Sequence, residues 1–151
     1  MNKQFEILNK SRELILKSVT KLSIKQLNTI PDGFKNNIAW NIAHLVVTQQ
    51  LLCYKLSGLP CLISEEMIEK YQKGTAPLNV ITKEEFENMK KWFVELPKKL
   101  EEDYKNEIFS NYYPYKTSVH ITLNSIEDGI AFNAYHEGIH LGIILQILKF
   151  V

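Results

Sequence analysis

Two histidines four residues apart, in His136-Glu137-Gly138-Ile139-His140, constrain this chain more than any other feature. In a helix they lie about 40° apart around the axis and one turn apart along it, so two imidazoles leave one face as a bite for a single metal ion. On a helical wheel Gly129, Phe132, His136, His140, Ile143 and Ile147 share a stripe. Most of that stripe is apolar, which predicts a helix facing the core. Imidazoles on such a face need partners, because an unpaired buried polar group costs about 1–3 kcal/mol. Upstream, Asn37, Trp40, His44, Val47 and Leu51 form the inward stripe of another helix. If the two helices are neighbours, three of the chain's four histidines converge. Three imidazoles with a fourth position open are the donor set of a catalytic rather than a closed structural zinc site, and they equally suit nickel, copper or iron.

The remainder of the chain predicts an all-α four-helix bundle in one domain, residues 1–151. The first helix reads from Lys3 to Leu22, with Phe5, Leu8, Ile15, Val19 and Leu22 at helical spacing. Ser23 to Gln26 is a capping box that opens one short turn before Pro31-Asp32-Gly33. The second helix reads from Asn37 to Leu56 and stops at Ser57-Gly58-Leu59-Pro60. A connection from Leu59 to Ile81 follows, with a short helical stretch from Glu65 to Tyr71; it is long enough to cross the bundle. The third helix opens at the Thr82 capping box with the stripe Phe86, Met89, Phe93, Leu96 and Leu100, and Pro97 is predicted to kink or end it near Phe93. Asn106 to Asn124 reads as an extended loop with a strand-like pair, and the fourth helix opens at Ser125 and continues to the end.

Composition narrows the function classes. The net charge is +1, and the lysines are interleaved with glutamates, so no nucleic-acid surface is predicted. The start lacks the apolar core of a signal peptide, and the run Leu141 to Val151 is short and interrupted by Gln146 and Lys149. These features predict a soluble cytoplasmic protein. Cys53 and Cys61 fit no zinc or redox spacing; Cys53 reads as core and Cys61 as loop. His120 reads as a surface or substrate-side loop residue rather than a ligand.

His136-Glu137-x-x-His140 also matches the zincin peptidase motif, in which the Glu is the general base. The extended form of that motif needs Gly at 143 and His at 146, where this chain has Ile143 and Gln146. Glu137 is read either as a carboxylate on the helix surface or as an acid or base standing behind the ligands.

Asn36-Asn37-Ile38-Ala39-Trp40-Asn41-Ile42-Ala43-His44-Leu45, paired with His136-Glu137-Gly138-Ile139-His140-Leu141-Gly142, resembles the DinB superfamily (DinB/YfiT-like metalloenzymes) over the whole chain. The resemblance implies a four-helix bundle of up-down-down-up order with a long crossover. It implies a zinc or nickel ion on residues matching His44, His136 and His140, and a homodimer. Characterised relatives include thiol-dependent transferases and isomerases, which implies a small-molecule substrate and a low-molecular-weight thiol cosubstrate. Many relatives carry Gln where this chain has Ile143. The leading expectation is thus a metal-dependent S-transferase, or a related hydrolase or isomerase, with its ion at the open end of the bundle. Trp40 and the Tyr112–Tyr115 loop either wall the pocket or simply pack. Its rivals are a metal-stapled bundle without catalysis and, further off, a zincin peptidase.

Overall fold

The run from Ile38 to Val47 is apolar almost without interruption, and a helix apolar on every side must be enclosed. Helix α3 (Ile38–Cys53) meets that requirement, with 14 of its 16 residues buried in the computed structural model, which describes residues 1–151. Its N-terminus is capped by Asn37, whose side chain accepts a hydrogen bond from the Trp40 N–H at 2.8 Å. Three long helices and a short one precede or follow it: α1 (Asn2–Val19), α2 (Ile24–Asn28), α5 (Lys83–Lys105) and α6 (Ile126–Ile147). Helix α4 (Glu65–Tyr71) lies within the α3–α5 connection.

The directions of the four long helices follow from which residues meet. At one end of the core, Phe5 and Leu8 of α1 pack with Leu52 and Cys53 of α3, Leu100 of α5, and Ile126 and Ile130 of α6. At the other end, Ile15 and Val19 join Ile38 and Ile42, Phe86 and Met89, and Ile144 and Ile147. Helices α1 and α6 therefore run one way, and α3 and α5 the other. This is the up-down-down-up order, and the 54–82 connection crosses the length of the bundle as expected. The neighbours around the bundle are α1–α5, α5–α3, α3–α6 and α6–α1.

The capping boxes at Ser23 and Thr82 form as predicted, and each such cap contributes about 1 kcal/mol. Gly58 takes the left-handed conformation (φ 73°) that closes the turn after α3. The segment after α5 holds the expected strand pair, β1 (Tyr115–Lys116) antiparallel to β2 (Thr122–Leu123). No helix is long and apolar enough to cross a membrane.

Two expectations need correction. The first helix ends at Val19, not Leu22, because residues 20–22 turn toward the Ser23 cap. Of the two effects expected of Pro97, the ending does not occur: helix α5 continues past Phe93 and through Pro97 to Lys105. Proline removes the N–H that would bond the carbonyl four residues earlier. That carbonyl, Phe93 O, instead accepts from Arg12 Nη1 at 2.9 Å.

Candidate metal centre

The α3–α6 contact brings His44 together with His136 and His140. Their ring centroids are 4.5–5.1 Å apart, and one donor atom from each can be chosen so that all lie within 4.8 Å of one another. Two zinc–imidazole bonds of about 2.0–2.1 Å span at most about 4.2 Å, so the set closes on one ion by modest side-chain rotation.

Each ring is aimed by a neighbour. His44 Nδ1 lies 2.6 Å from the carbonyl of Tyr71, the last residue of α4. A carbonyl only accepts, so Nδ1 carries the proton and Nε2 keeps its lone pair. The Trp40 indole stacks on the same imidazole at 4.7 Å with 9° between the planes, and its own N–H donates to Thr75. Thr48 Oγ1 stands 3.3 Å from His44 Nε2.

His140 Nδ1 lies 2.7 Å from Asn41 Oδ1. The Asn41 amide nitrogen donates to Asn36 Oδ1 at 2.8 Å and to the Asn37 carbonyl at 2.7 Å, which fixes the oxygen toward the histidine. His140 therefore also keeps the lone pair on Nε2. His136 Nδ1 is buried with no hydrogen-bond partner, which is the kind of polar atom a cation would satisfy. The donor set thus fits a divalent metal ion, with two of three imidazoles held by acceptors on the far nitrogen.

Burial, and then the neighbouring imidazoles, push His136 down to about 3 and His140 down to about 4. Burial also lowers His44, opposed in part by the Tyr71 carbonyl. All three rings are neutral at pH 7, as metal ligation requires.

The cluster is not at the open end of the bundle. It sits midway along α3 and α6 and opens sideways into a cavity of about 340 Å³. The walls of that cavity come from α3, α6, residues 72–73 of the crossover, and Tyr115, Thr117 and Ser118 of the hairpin. Of the aromatic residues expected to wall a pocket, Tyr115 lines the cavity and Trp40 braces His44. Tyr112 instead donates to the Leu52 carbonyl at 3.0 Å and packs so closely on α6 that a Cβ on Gly129 would meet its hydroxyl at 2.7 Å. His120 sits in the exposed hairpin turn at φ 63°, away from the cluster. Cys53 is buried, and burial raises its thiol well above the ordinary range, as a core residue requires.

Glu137 overturns its surface reading. It is 1% exposed and accepts from Arg12 Nε at both oxygens, 3.0 and 3.2 Å, and from Nη2 at 2.7 Å. Asn133 Nδ2 adds a further bond at 3.2 Å, and no histidine bonds to it. Burial raises its carboxyl above the usual range, against the pull of Arg12. Its oxygens are committed to the core, so it does not face the cavity as a general base for peptide hydrolysis. Arg12, Asn41 and Tyr71 carried no assigned role in the sequence reading. Arg12 had a signal: it is the sole arginine, and it falls on the apolar stripe between Leu8 and Ile15.

The sequence was compared with known proteins. No curated protein matches it. A family model does, that of the DinB superfamily, over residues 7–144, and the chain belongs to that superfamily.

Proposed function

We propose that this protein is a metal-dependent enzyme of the DinB type, with residues 1–151 forming one domain and His44, His136 and His140 holding a divalent ion, zinc or nickel. The observation that carries this reading is the pair of bonds Tyr71 O···His44 Nδ1 and Asn41 Oδ1···His140 Nδ1, which leave both Nε2 atoms as lone-pair donors within one cluster, with only the Thr48 hydroxyl on that of His44. A divalent ion there would lower the pKa of a bound water or thiol. Lined by His44 and His136, the cavity gives a small molecule access to that position. The family resemblance supports thiol-dependent group transfer, hydrolysis or isomerisation on a small-molecule substrate, with a low-molecular-weight thiol as cosubstrate. It also supports a homodimer.

A purely structural ion that staples α3 to α6 is the second reading, favoured by the burial of His44 and His140. The side cavity favours the enzymatic one, because a closed staple needs no approach for a ligand. Elemental analysis of tag-free protein tests the centre. One metal per chain, lost in His44→Ala, supports it. No metal in the wild type after reconstitution with zinc and nickel overturns it.

A further inference from the structure

The lining of the cavity beside the histidines is mixed. His44, His136 and Thr48 contribute polar groups to it. Leu52, Leu56 and Phe132 contribute apolar ones. Lys55, in the turn after α3, and Lys73, two residues beyond α4, line it as well, so two separate points of the crossover each supply one ammonium. No Asp or Glu lines the cavity. The ion pairs elsewhere on the surface join lysines to acids one turn away on the same helix, and none uses Lys55 or Lys73. Two unneutralised cations beside an apolar cleft raise its affinity for an anion. Lys55 lies eleven residues beyond His44, about 16 Å along the helix axis, which leaves room for a stem of several carbons between the histidines and the ammonium.

We propose that this cavity takes a small organic anion with an apolar stem, its charged end held by Lys55 and Lys73 and its other end reaching His44 and His136. As a statement about substrate it rests on the metal-centre reading above. It adds that Lys55 and Lys73 determine specificity. The crossover also ties the cavity wall to the histidines, because Tyr71 holds His44 while Gln72 and Lys73 line the wall.

The test is calorimetric titration with hexanoate and with hexan-1-ol, which share a stem and differ in charge. It is run on zinc-reconstituted and on chelator-treated protein, with metal content measured in each. Hexanoate is expected to bind about tenfold more tightly than hexan-1-ol in both preparations. Lys55→Gln/Lys73→Gln should bring the two within about twofold, and Lys55→Arg/Lys73→Arg should retain the preference. Both lysines are exposed, so these variants fold. Equal affinity for the two probes, or no binding of hexanoate, overturns the proposal. So does a preference that survives in the double Gln variant, which would put the carboxylate on the ion rather than on the lysines. A protein that takes up no zinc fails the metal reading alone, and the comparison of probes in that same protein still decides the anion reading.

Discussion

Arg12 Nη2 and Glu137 Oε1 are 2.7 Å apart in the centre of the bundle, with the two side chains 2% and 1% exposed. The same guanidinium bonds Phe93 O of α5 and reaches Leu45 O of α3 at 3.4 Å, so one side chain of α1 ties together all four long helices. Its face also lies on the Phe93 ring, 4.5 Å from the centroid. Breaking such a pair leaves a buried charge without its counterpart. Arg12→Met is expected to cost about 3–5 kcal/mol in urea unfolding. Arg12→Met/Glu137→Leu should be more stable than either single variant, since it leaves no lone charge. A double variant no better than Arg12→Met would show that the pair is not what the core depends on.

Arg12 also accounts for the tolerated Pro97. In Pro97→Ala the restored N–H can bond Phe93 O, but Arg12 already occupies that carbonyl. The stabilisation is expected to fall well below the roughly 3 kcal/mol that separates Pro from Ala in an ordinary helix interior. In an Arg12→Met background the carbonyl is left unpaired, and Pro97→Ala should then stabilise by about 1 kcal/mol more than in the wild type. A double-mutant cycle on urea midpoints measures this coupling. Additive effects would mean that the guanidinium does not stand in for the missing helix bond.

Asn41 aims His140 without touching the proposed ion. Asn41→Leu removes the acceptor at 2.7 Å and frees the ring to turn or change tautomer. Zinc affinity, read by chelator competition, is expected to fall about 10–100-fold with the stoichiometry unchanged at saturation. Asn41→Asp should retain tight binding. An Asn41→Leu protein with wild-type affinity would remove Asn41 from the centre.

The histidines give the metal-free protein a signed pH dependence. His136 is held at about 3 and His140 at about 4, with His44 also lowered, against 6.5 for an ordinary histidine. As pH falls the unfolded chain takes up protons first, so stability is whole above about pH 6.5 and declines from there toward pH 4 and 3. Over that window the loss should reach a few kcal/mol. Urea midpoints of chelator-treated protein at pH 7, 5.5 and 4.5 follow it, and His136→Gln/His140→Gln should flatten the slope. A wild-type profile flat from pH 7 to 4.5 would contradict the burial of neutral imidazoles.

Much of the bundle could be read from local sequence because its signals are local. Ser23, Thr82 and Ser125 each cap the helix that follows them, and Gly58 closes the turn after α3. A side-chain oxygen that bonds an N–H three residues on needs no tertiary partner. His136 and His140 are one turn apart whatever surrounds them. The apolar stripe that runs through them is turned from the buried face. Buried α6 residues are Ile126, Gly129, Ile130, Asn133, Glu137, His140, Ile144 and Ile147, while Phe132, His136 and Ile143 are half-buried. Apolarity alone counts a carboxylate as surface. Glu137 is inside because Arg12, from a helix 125 residues earlier, neutralises it there.

By itself, the sequence determined the elements that short-range chemistry dictates: the helices, their caps, the crossover length, and three histidines on core-facing helices. The tertiary structure alone decided which nitrogen His44 and His140 present, that the centre opens through the side of the bundle, and how α5 passes through a proline. Each of these depends on a group brought from far along the chain. Tyr71 O meets His44 across 27 residues, Asn41 meets His140 across 99, and Arg12 meets Phe93 O across 81. Only packing the four helices around α3 sets such distances, because no periodicity within one helix records where another helix will place its side chains.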